Sequence, residues 1–252
     1  MKIKETRFYE KYTDDFAVAD DQNFQLPDDY EWVKTDIFSK MKSGIIYFLA
    51  IVFSLFYCPF VLHMSIKGRQ KFKGVKNGCF IYGNHTQSVG DVFIPALSTL
   101  PKRIYTVVSP ANYSLPVIGK ILPYLGALPV VESISGIKKL STAMKQRLSK
   151  NHPIVIYPEA HVWDYCTFIR EFPSTSFKYP VKFSVPSFAM TTTYQKSKIF
   201  KKPKTVVYID GPFYGEGETL KEKTENLHQK IYNAMKDRSK MSSHQYIVYK
   251  KK

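Results

Sequence analysis

Acidic side chains are scarce in most of this 252-residue chain. Between residues 43 and 215 there are only six: Asp91, Glu132, Glu159, Asp164, Glu171 and Asp210. The formal net charge is +16 and it is uneven, because residues 1–42 hold seven Lys or Arg and ten Asp or Glu, whereas residues 43–252 hold 30 and 11. Such a positive excess favours a negatively charged partner, either a nucleic acid or an anionic membrane leaflet.

Other signals are also missing. The three cysteines include no CxxC pair, so nothing suggests a disulfide framework or a structural zinc site. No zinc-finger or RNA-binding signature accompanies the basic residues, which makes nucleic acid the weaker of the two candidate partners. Hydrophobic residues at 44% and aromatic residues at 15% exclude an intrinsically disordered chain.

One long uncharged run is present, from Ser43 to Ile66. It exceeds the roughly 20 apolar residues that cross a bilayer, and it starts too deep in the chain for a signal peptide. Pro59 is expected to kink or end a helix near Tyr57, so the run either spans the membrane or turns back within it; a buried helix of a soluble protein is the third possibility. Lysines flank both ends, but the basic remainder favours a cytoplasmic side for residues 67–252.

The rest of the chain alternates β-rich runs with helical ones. Strands are predicted at 79–83, 103–108, 153–157, 186–194 and 204–210. Helices are predicted at 136–150 and 218–238, where apolar residues recur at helical spacing as core faces: Ile137, Leu140, Met144 and Leu148, then Leu220, Leu227, Ile231 and Met235. This alternation predicts an α/β fold with a mixed, mostly parallel sheet flanked by helices.

The predicted organisation has three parts. Residues 1–42 form a mobile or loosely docked N-terminal arm, residues 43–66 a membrane-anchoring helix, and residues 67–252 the main domain.

Two acidic residues follow predicted strand ends, which is where α/β sheets place their sites. Asp91 comes six residues after His85, and Glu159 follows the 153–157 strand. An imidazole can take a proton from a hydroxyl near neutral pH, and a carboxylate can fix the tautomer of that imidazole. The alternative is a helix N-cap carboxylate beside a surface imidazole, and the spacing alone does not choose between the two.

Four segments in the main domain occur in a recognisable order. They are NHTQSVGD (84–91), LPVIGKILPYLGALPVVE (115–132), YPEAHV (157–162) and VPSF (185–188). Together they resemble the glycerolipid acyltransferases, the PlsC-type lysophosphatidic acid acyltransferase family, whose motifs are N-H-x-x-x-x-D, a glycine-containing segment ending in a basic residue, F-P-E-G-T-R, and a hydrophobic segment with a proline. The resemblance implies that His85 and Asp91 form a catalytic dyad behind a membrane anchor.

The resemblance also implies a set of substrate-binding residues: Asn84, Lys120, Gly126, Glu159, Ala160, His161 and Pro186. Glu159 is expected to position the acceptor, while Gly126 and Pro186 shape the walls of the pocket. Lys120 or another lysine is expected to supply a cation.

The chain departs from the family pattern at several positions. Five residues rather than four separate His85 from Asp91, and Gly90 is expected to give the longer loop its conformational freedom. Glu132 and Val162 stand where the family has arginine. Neither can replace an arginine fork on a phosphate, so the acceptor is expected to differ from plain lysophosphatidic acid.

The resemblance and the residues together predict a membrane-bound O-acyltransferase. It would move a fatty acyl group from acyl-CoA or acyl carrier protein to a hydroxyl of a lysophospholipid or related lipid acceptor, with no further cofactor, no metal and no nucleic-acid partner. Its expected location is the lipid bilayer surface, with the catalytic domain cytoplasmic.

Two alternatives belong to other functional classes. One is a non-catalytic, membrane-anchored lipid-binding module that keeps the fold. The other is a metal-dependent hydrolase with His85, Asp91, Glu159 and His161 as ligands. Metal analysis of the purified protein would separate the hydrolase from a metal-free acyltransferase.

Overall fold

A computed structural model describes residues 2–16, 21–27, 29–131 and 133–252. Glu132 lies outside the described residues. The strands among them are β1 (Glu5–Tyr9), β2 (Ser65–Lys67), β3 (Phe80–Gly83), β4 (Tyr105–Val108), β5 (Ala127–Pro129), β6 (Ile154–Ile156), β7 (Ser187–Gln195), β8 (Lys204–Phe213) and β9 (Ile247–Lys251). The helices are α1 (Ile37–Phe56), α2 (Gly90–Thr99), α3 (Ile118–Leu125), α4 (Ile134–Ser149), α5 (Lys178–Phe183) and α6 (Leu220–Ser239).

The main sheet is mixed and mostly parallel. Its strand order in the described part of the chain is β2-β8-β7-β3-β6-β4-β5. Only the β7–β8 pairing is antiparallel, so β2 and β8 run against the other strands. The predicted fold class is therefore confirmed.

Alternating side chains of the central strands build two apolar layers. In β3, Phe80 and Tyr82 face a cluster with α4 and α6, whereas Ile81 faces a second cluster with α2. Each fully buried apolar side chain of this kind stabilises the fold by roughly 1.5–3 kcal/mol. Helices thus cover both faces of the sheet.

The predicted helical stripes are confirmed with two exceptions. Leu140, Met144 and Leu148 of α4 are buried, and so are Leu227, Ile231 and Met235 of α6. Ile137 and Leu220 are exposed instead. Both lie in the first turn of their helix, so each stripe becomes buried only from the second turn onward.

The apolar run forms α1, which begins at Ile37, six residues before the predicted start of the anchor. The α-helix ends at Phe56 and continues as a π-helical turn from Tyr57 to Val61. Pro59 lies inside that turn and has no N–H to continue the α-helical ladder. The predicted interruption near Tyr57 is therefore confirmed.

The described part of the N-terminal arm is docked, contrary to the expectation of a mobile or loosely docked segment. β1 pairs in parallel with β9 at the other end of the chain. Tyr9 and Phe16 pack against Trp163, whose indole N–H donates to the carbonyl of Asp14 at 2.8 Å. Aromatic burial and strand pairing hold the arm, and neither is visible in its acidic composition.

Candidate functional site

The candidate site lies where two neighbouring parallel strands end. β3 and β6 pair in parallel, so the histidine loop (84–89) and the glutamate loop (157–170) leave the same edge of the sheet. The N–H of Trp163 in the second loop donates to the carbonyl of His85 in the first at 3.0 Å. This is the carboxyl edge, where open α/β sheets bind their ligands.

His85 and Asp91 are in direct contact. Nδ1 of His85 lies 2.7 Å from Oδ2 of Asp91, and the same oxygen accepts the backbone N–H groups of Thr86 at 2.9 Å and Gln87 at 3.0 Å. Burial raises the pKa of Asp91 above its ordinary value, although the hydrogen bonds from His85, Gln87 and Thr86 oppose the shift. An ionised Asp91 makes Nδ1 the protonated nitrogen and leaves Nε2 to accept a proton.

Asp91 is not the N-cap of α2, which removes the structural alternative raised by its spacing. The N-cap is Val89, without a side-chain hydrogen bond, and Asp91 lies inside the first turn. Among the described residues, Oδ1 of Asp91 is buried and has no hydrogen-bond partner. A buried carboxylate with one oxygen unpaired costs stability, and such groups concentrate at functional sites.

The longer loop between the dyad residues is not accommodated by unusual backbone angles at Gly90. Gly90 is the first residue of α2 and does not have a positive φ. A Cβ there would lie 2.9 Å from Cβ of Gln87 and 3.0 Å from Cδ1 of Leu62. Gly90 is therefore required for close packing, and the expectation of special conformational freedom was wrong.

Tyr157 fixes the dyad from the glutamate loop. Its ring stacks on the imidazole of His85 at 4.5 Å between centroids, and its hydroxyl donates to the carbonyl of Asp91 at 2.6 Å. No sequence pattern singles out Tyr157, apart from its being an aromatic residue directly before Pro158. The contact depends on the two loops meeting.

Glu159 is buried in an ion pair. Its Oε2 accepts the backbone N–H of His85 at 3.0 Å and Nη2 of Arg170 at 2.9 Å, and its Oε1 accepts the backbone N–H of Arg170 at 2.9 Å. Arg170 also donates to the carbonyl of His161 and lies over the Trp163 ring at 4.7 Å. The side chains of Glu159 and Arg170 are 0% and 1% exposed. Sequence reasoning missed Arg170 entirely.

A large cavity opens beside the dyad. Its volume is about 1520 Å³, above the roughly 300–1,000 Å³ of ordinary small-molecule pockets. Apolar side chains from four helices line it: Ala50 and Ile51 of α1, Val92, Phe93 and Ala96 of α2, Ile118, Leu122 and Leu125 of α3, and Leu140 and Met144 of α4. A cavity of this size and lining suits a long hydrocarbon chain.

The architecture matches a solved structure, the crystal structure of the 1-acyl-sn-glycerophosphate (LPA) acyltransferase PlsC from Thermotoga maritima. The TM-score is 0.52 at 12% sequence identity, and the match covers 84% of this chain and 87% of that chain. The chain therefore shares the fold of that solved structure. No protein-family model and no curated protein sequence matches it.

Within this fold, part of the predicted site lines the cavity. His85, Asp91, Ala160 and His161 are in its wall. Ala160 has a left-handed backbone with φ of 63°, which explains why the family pattern has glycine at this position. Nδ1 of His161 lies 3.4 Å from Oδ2 of Asp15 in the N-terminal arm.

Other predicted substrate-binding residues lie away from the cavity wall. The side-chain amide of Asn84 is buried and exchanges hydrogen bonds of 3.0 and 2.8 Å with the backbone of Thr192, so it joins β3 to β7. Lys120 is exposed on α3 and is not among the lining residues.

Gly126 and Pro186 also lie outside the wall. Gly126 ends α3 with φ of 97°, and a Cβ there would meet the carbonyl oxygen of Ile104 at 2.8 Å. Pro186 precedes β7, and its carbonyl accepts the N–H of Phe80 at the start of β3. Pro186 therefore lies at the amino-terminal ends of the parallel strands. The candidate site is at their carboxyl ends, about 13 Å away along β3.

The arrangement does not resemble a metal centre. In the part of the chain that the structure describes, no group of three or more His, Cys, Asp or Glu side chains could hold a metal ion. His161 is directed to Asp15, and Glu159 is directed to Arg170. The four side chains considered as hydrolase ligands therefore do not converge.

Proposed function

We propose that the protein is a membrane-bound O-acyltransferase that moves a fatty acyl group from a thioester donor to a hydroxyl of a lipid acceptor. The observation that carries this proposal is the His85–Asp91 contact of 2.7 Å in the wall of a large, mostly apolar cavity. The acyltransferase fold supports the reaction class. The donor is acyl-CoA or acyl carrier protein, and no further cofactor takes part.

In this proposal His85 acts as a general base. Nε2 takes the proton of the acceptor hydroxyl while the hydroxyl oxygen attacks the thioester carbonyl. The tetrahedral intermediate collapses with cleavage of the C–S bond, and the imidazolium returns the proton to the leaving thiolate. Asp91 holds the productive tautomer and stabilises the imidazolium.

Direct transfer fits the state of the cysteines. Burial raises the pKa of Cys79 and of Cys166 to about 12. A thiol with such a pKa is almost fully protonated at neutral pH and is a poor nucleophile. No cysteine is among the described residues that line the cavity, and the proposed mechanism contains no acyl-cysteine intermediate.

Glu159 acts through His85 and not on the acceptor. Its carboxylate holds the backbone N–H of His85 and is neutralised by Arg170. Through this hydrogen bond the ion pair fixes the backbone of His85. Its proposed role is positioning.

The apolar helix brings the site to the membrane. Residues 37–61 form a helix long and apolar enough to cross a bilayer, and the mean hydropathy over its most apolar 18 residues is 2.2. Ser43 nevertheless donates to the carbonyl of Tyr124, the hydroxyl of Tyr47 accepts the N–H of Ile104, and Cys58 is buried. Because α1 and the turn that follows it contact the domain at these positions, the proposed arrangement has α1 against the domain with its exposed face in the bilayer surface.

The outer face of α1 is strongly apolar. Its exposed side chains include Phe38, Met41, Ile45, Phe48, Leu49, Phe53 and Phe56. Because Ala50 and Ile51 of the same helix line the cavity, the proposed route of the lipid acceptor runs along α1. The proposed side of the membrane is cytoplasmic.

The test is product formation by the purified full-length chain in detergent. A long-chain acyl-CoA, and separately an acyl carrier protein, is incubated with a panel of lipid alcohols. The expected result is thiol release that depends on the acceptor, with an equal amount of new ester. Absence of acceptor-dependent release with both donors would contradict the proposed function.

A further inference from the structure

The cavity wall is poor in positive charge, although the chain is rich in it. The sequence contains 37 Lys and Arg. Among the described residues that line the cavity, Lys139 is the only one, and it is outweighed by Asp15 and Asp91. The basic character of the protein therefore belongs to its outer surface and not to the proposed acceptor site.

The arginine side chains near the site already have other partners. Arg170, in the loop beside His85, is buried and paired with Glu159, and Arg103 donates to Ser43 and to the carbonyl of Tyr124. Val162 lines the wall where the family pattern has arginine. The described structure thus offers no arginine fork for a phosphate near the dyad.

Uncharged hydrogen-bonding groups take the place of cations in the wall. They include Asn23, Gln25, Ser109, Asn112, Ser133 and Thr175. Amide and hydroxyl groups can hydrogen-bond an alcohol. They do not repay the desolvation of a phosphomonoester, which carries about 1.5 to 2 negative charges at neutral pH.

From this distribution we infer that the preferred acceptor is a lipid alcohol without a phosphomonoester, such as a glycerol or glycol carrying one hydrocarbon chain. The inference rests on the proposed acyltransferase activity and adds the acceptor class. Only the acyl chain and thioester of the donor need to reach His85, so the phosphates of the donor place no charge requirement on the wall.

The decisive comparison uses two acceptors that differ only in the phosphate: 1-oleoylglycerol and 1-oleoylglycerol 3-phosphate. Both are given to the purified full-length chain at equal micellar concentration with the same acyl-CoA, and kcat/KM is measured by thiol release. We expect the uncharged acceptor to be used at least about tenfold better. Equal use, or preference for the phosphate, would overturn the inference while leaving the acyltransferase proposal intact. No release with either acceptor, from acyl-CoA or from acyl carrier protein, would contradict both.

A variant tests whether the missing cation sets this preference. Val162→Arg places a guanidinium in the cavity wall, and Val162→Leu is the uncharged control of increased size. Val162→Arg should shift the ratio of the two kcat/KM values toward the phosphate acceptor by about tenfold or more, whereas Val162→Leu should not shift it. An equal shift in both variants would overturn the charge explanation.

Discussion

Asp91 and Glu159 are both buried carboxylates that hold His85, but they hold different parts of it. Asp91 contacts the imidazole and has neutral or titratable donors around it, with one oxygen unpaired in the described structure. Glu159 contacts the backbone N–H and is neutralised by Arg170. Asp91 can therefore respond to a change of charge on the imidazole, whereas Glu159 is held in a structural ion pair.

The same difference explains why burial of the Asp91 carboxylate lowers the stability of the fold, whereas burial of the Glu159 carboxylate, paired with Arg170, does not. A buried carboxylate without a cation is destabilising, whereas a buried pair becomes destabilising mainly when one partner is removed. Substitution should therefore separate the two: Asp91 variants should lose activity and keep stability, and Glu159 variants should lose stability first.

The largest expected effect is that of Asp91→Asn. The amide cannot stabilise an imidazolium, and it favours the wrong tautomer of His85, so kcat should fall by about 10³- to 10⁴-fold. Asp164→Asn, in the facing loop, is the control and should retain activity within a few-fold, because the amide oxygen can still accept from Ser88. A loss below tenfold in Asp91→Asn would contradict the dyad.

Glu159→Gln should show the opposite pattern. It leaves the guanidinium of Arg170 buried without a charged partner, which costs about 3–5 kcal/mol in the free energy of unfolding. Denaturant unfolding measures this loss, and Glu171→Gln at an exposed neighbouring position is the control.

For a positioning role, kcat of the folded Glu159→Gln protein should fall by about tenfold while KM is retained. Such a split is not expected from a residue that binds the acceptor. A rise in KM with unchanged kcat would contradict the positioning role and indicate that Glu159 binds the acceptor.

The stability effect of Asp91 should depend on pH. Its pKa in the folded protein is raised, so the folded state binds the proton more tightly than the unfolded chain. Its contribution to stability is therefore greatest below the ordinary aspartate pKa of 3.8 and is lost as pH rises through the folded value.

Asp91→Asn should consequently gain stability relative to the unmodified protein as pH increases from about 4 to 7. The difference in Tm between the two proteins across this range measures the effect. If the Tm of Asp91→Asn, relative to that of the unmodified protein, decreased as pH rose, Asp91 would not be a buried carboxylate that lacks a cationic partner.

The smallest effect is expected for Tyr157→Phe. The ring still stacks on His85, but the hydrogen bond to the carbonyl of Asp91 is lost, and a bond of this kind contributes about 0.5–1.5 kcal/mol. We expect kcat to fall by about two- to tenfold. Tyr214→Phe, at an exposed position, should have no effect on kcat. An equal loss in both variants would show that the Tyr157 hydroxyl does not support the dyad.

Local pattern was sufficient for much of the fold. The strands at 79–83, 153–157 and 204–210 were predictable because alternating or continuous apolar runs are properties of neighbouring residues. Asp91 and His85 were predictable for the same reason, since only six positions separate them. The resemblance of four motifs in order added the reaction class.

Long-range contacts could not be predicted in this way. The Asn84 amide is bonded to Thr192, 108 positions away, and β1 pairs with β9 at the other end of the chain. The partner of Glu159 is Arg170, which no motif marks because the loop between them must fold back first. Sequence pattern therefore indicated His85, the group proposed to do the chemistry, and missed Arg170 and the other groups that hold the site in place.

The most direct test of the central claim is acceptor-dependent thiol release by His85→Ala compared with His152→Ala. His152 precedes β6, at the other end of that strand from the candidate site, and is not among the described residues that line the cavity, so its removal is a chemically matched control. We expect His85→Ala to lose acyl transfer by about 10²- to 10⁴-fold with unchanged Tm, and His152→Ala to retain it. Retention of full activity by a folded His85→Ala protein would contradict the account.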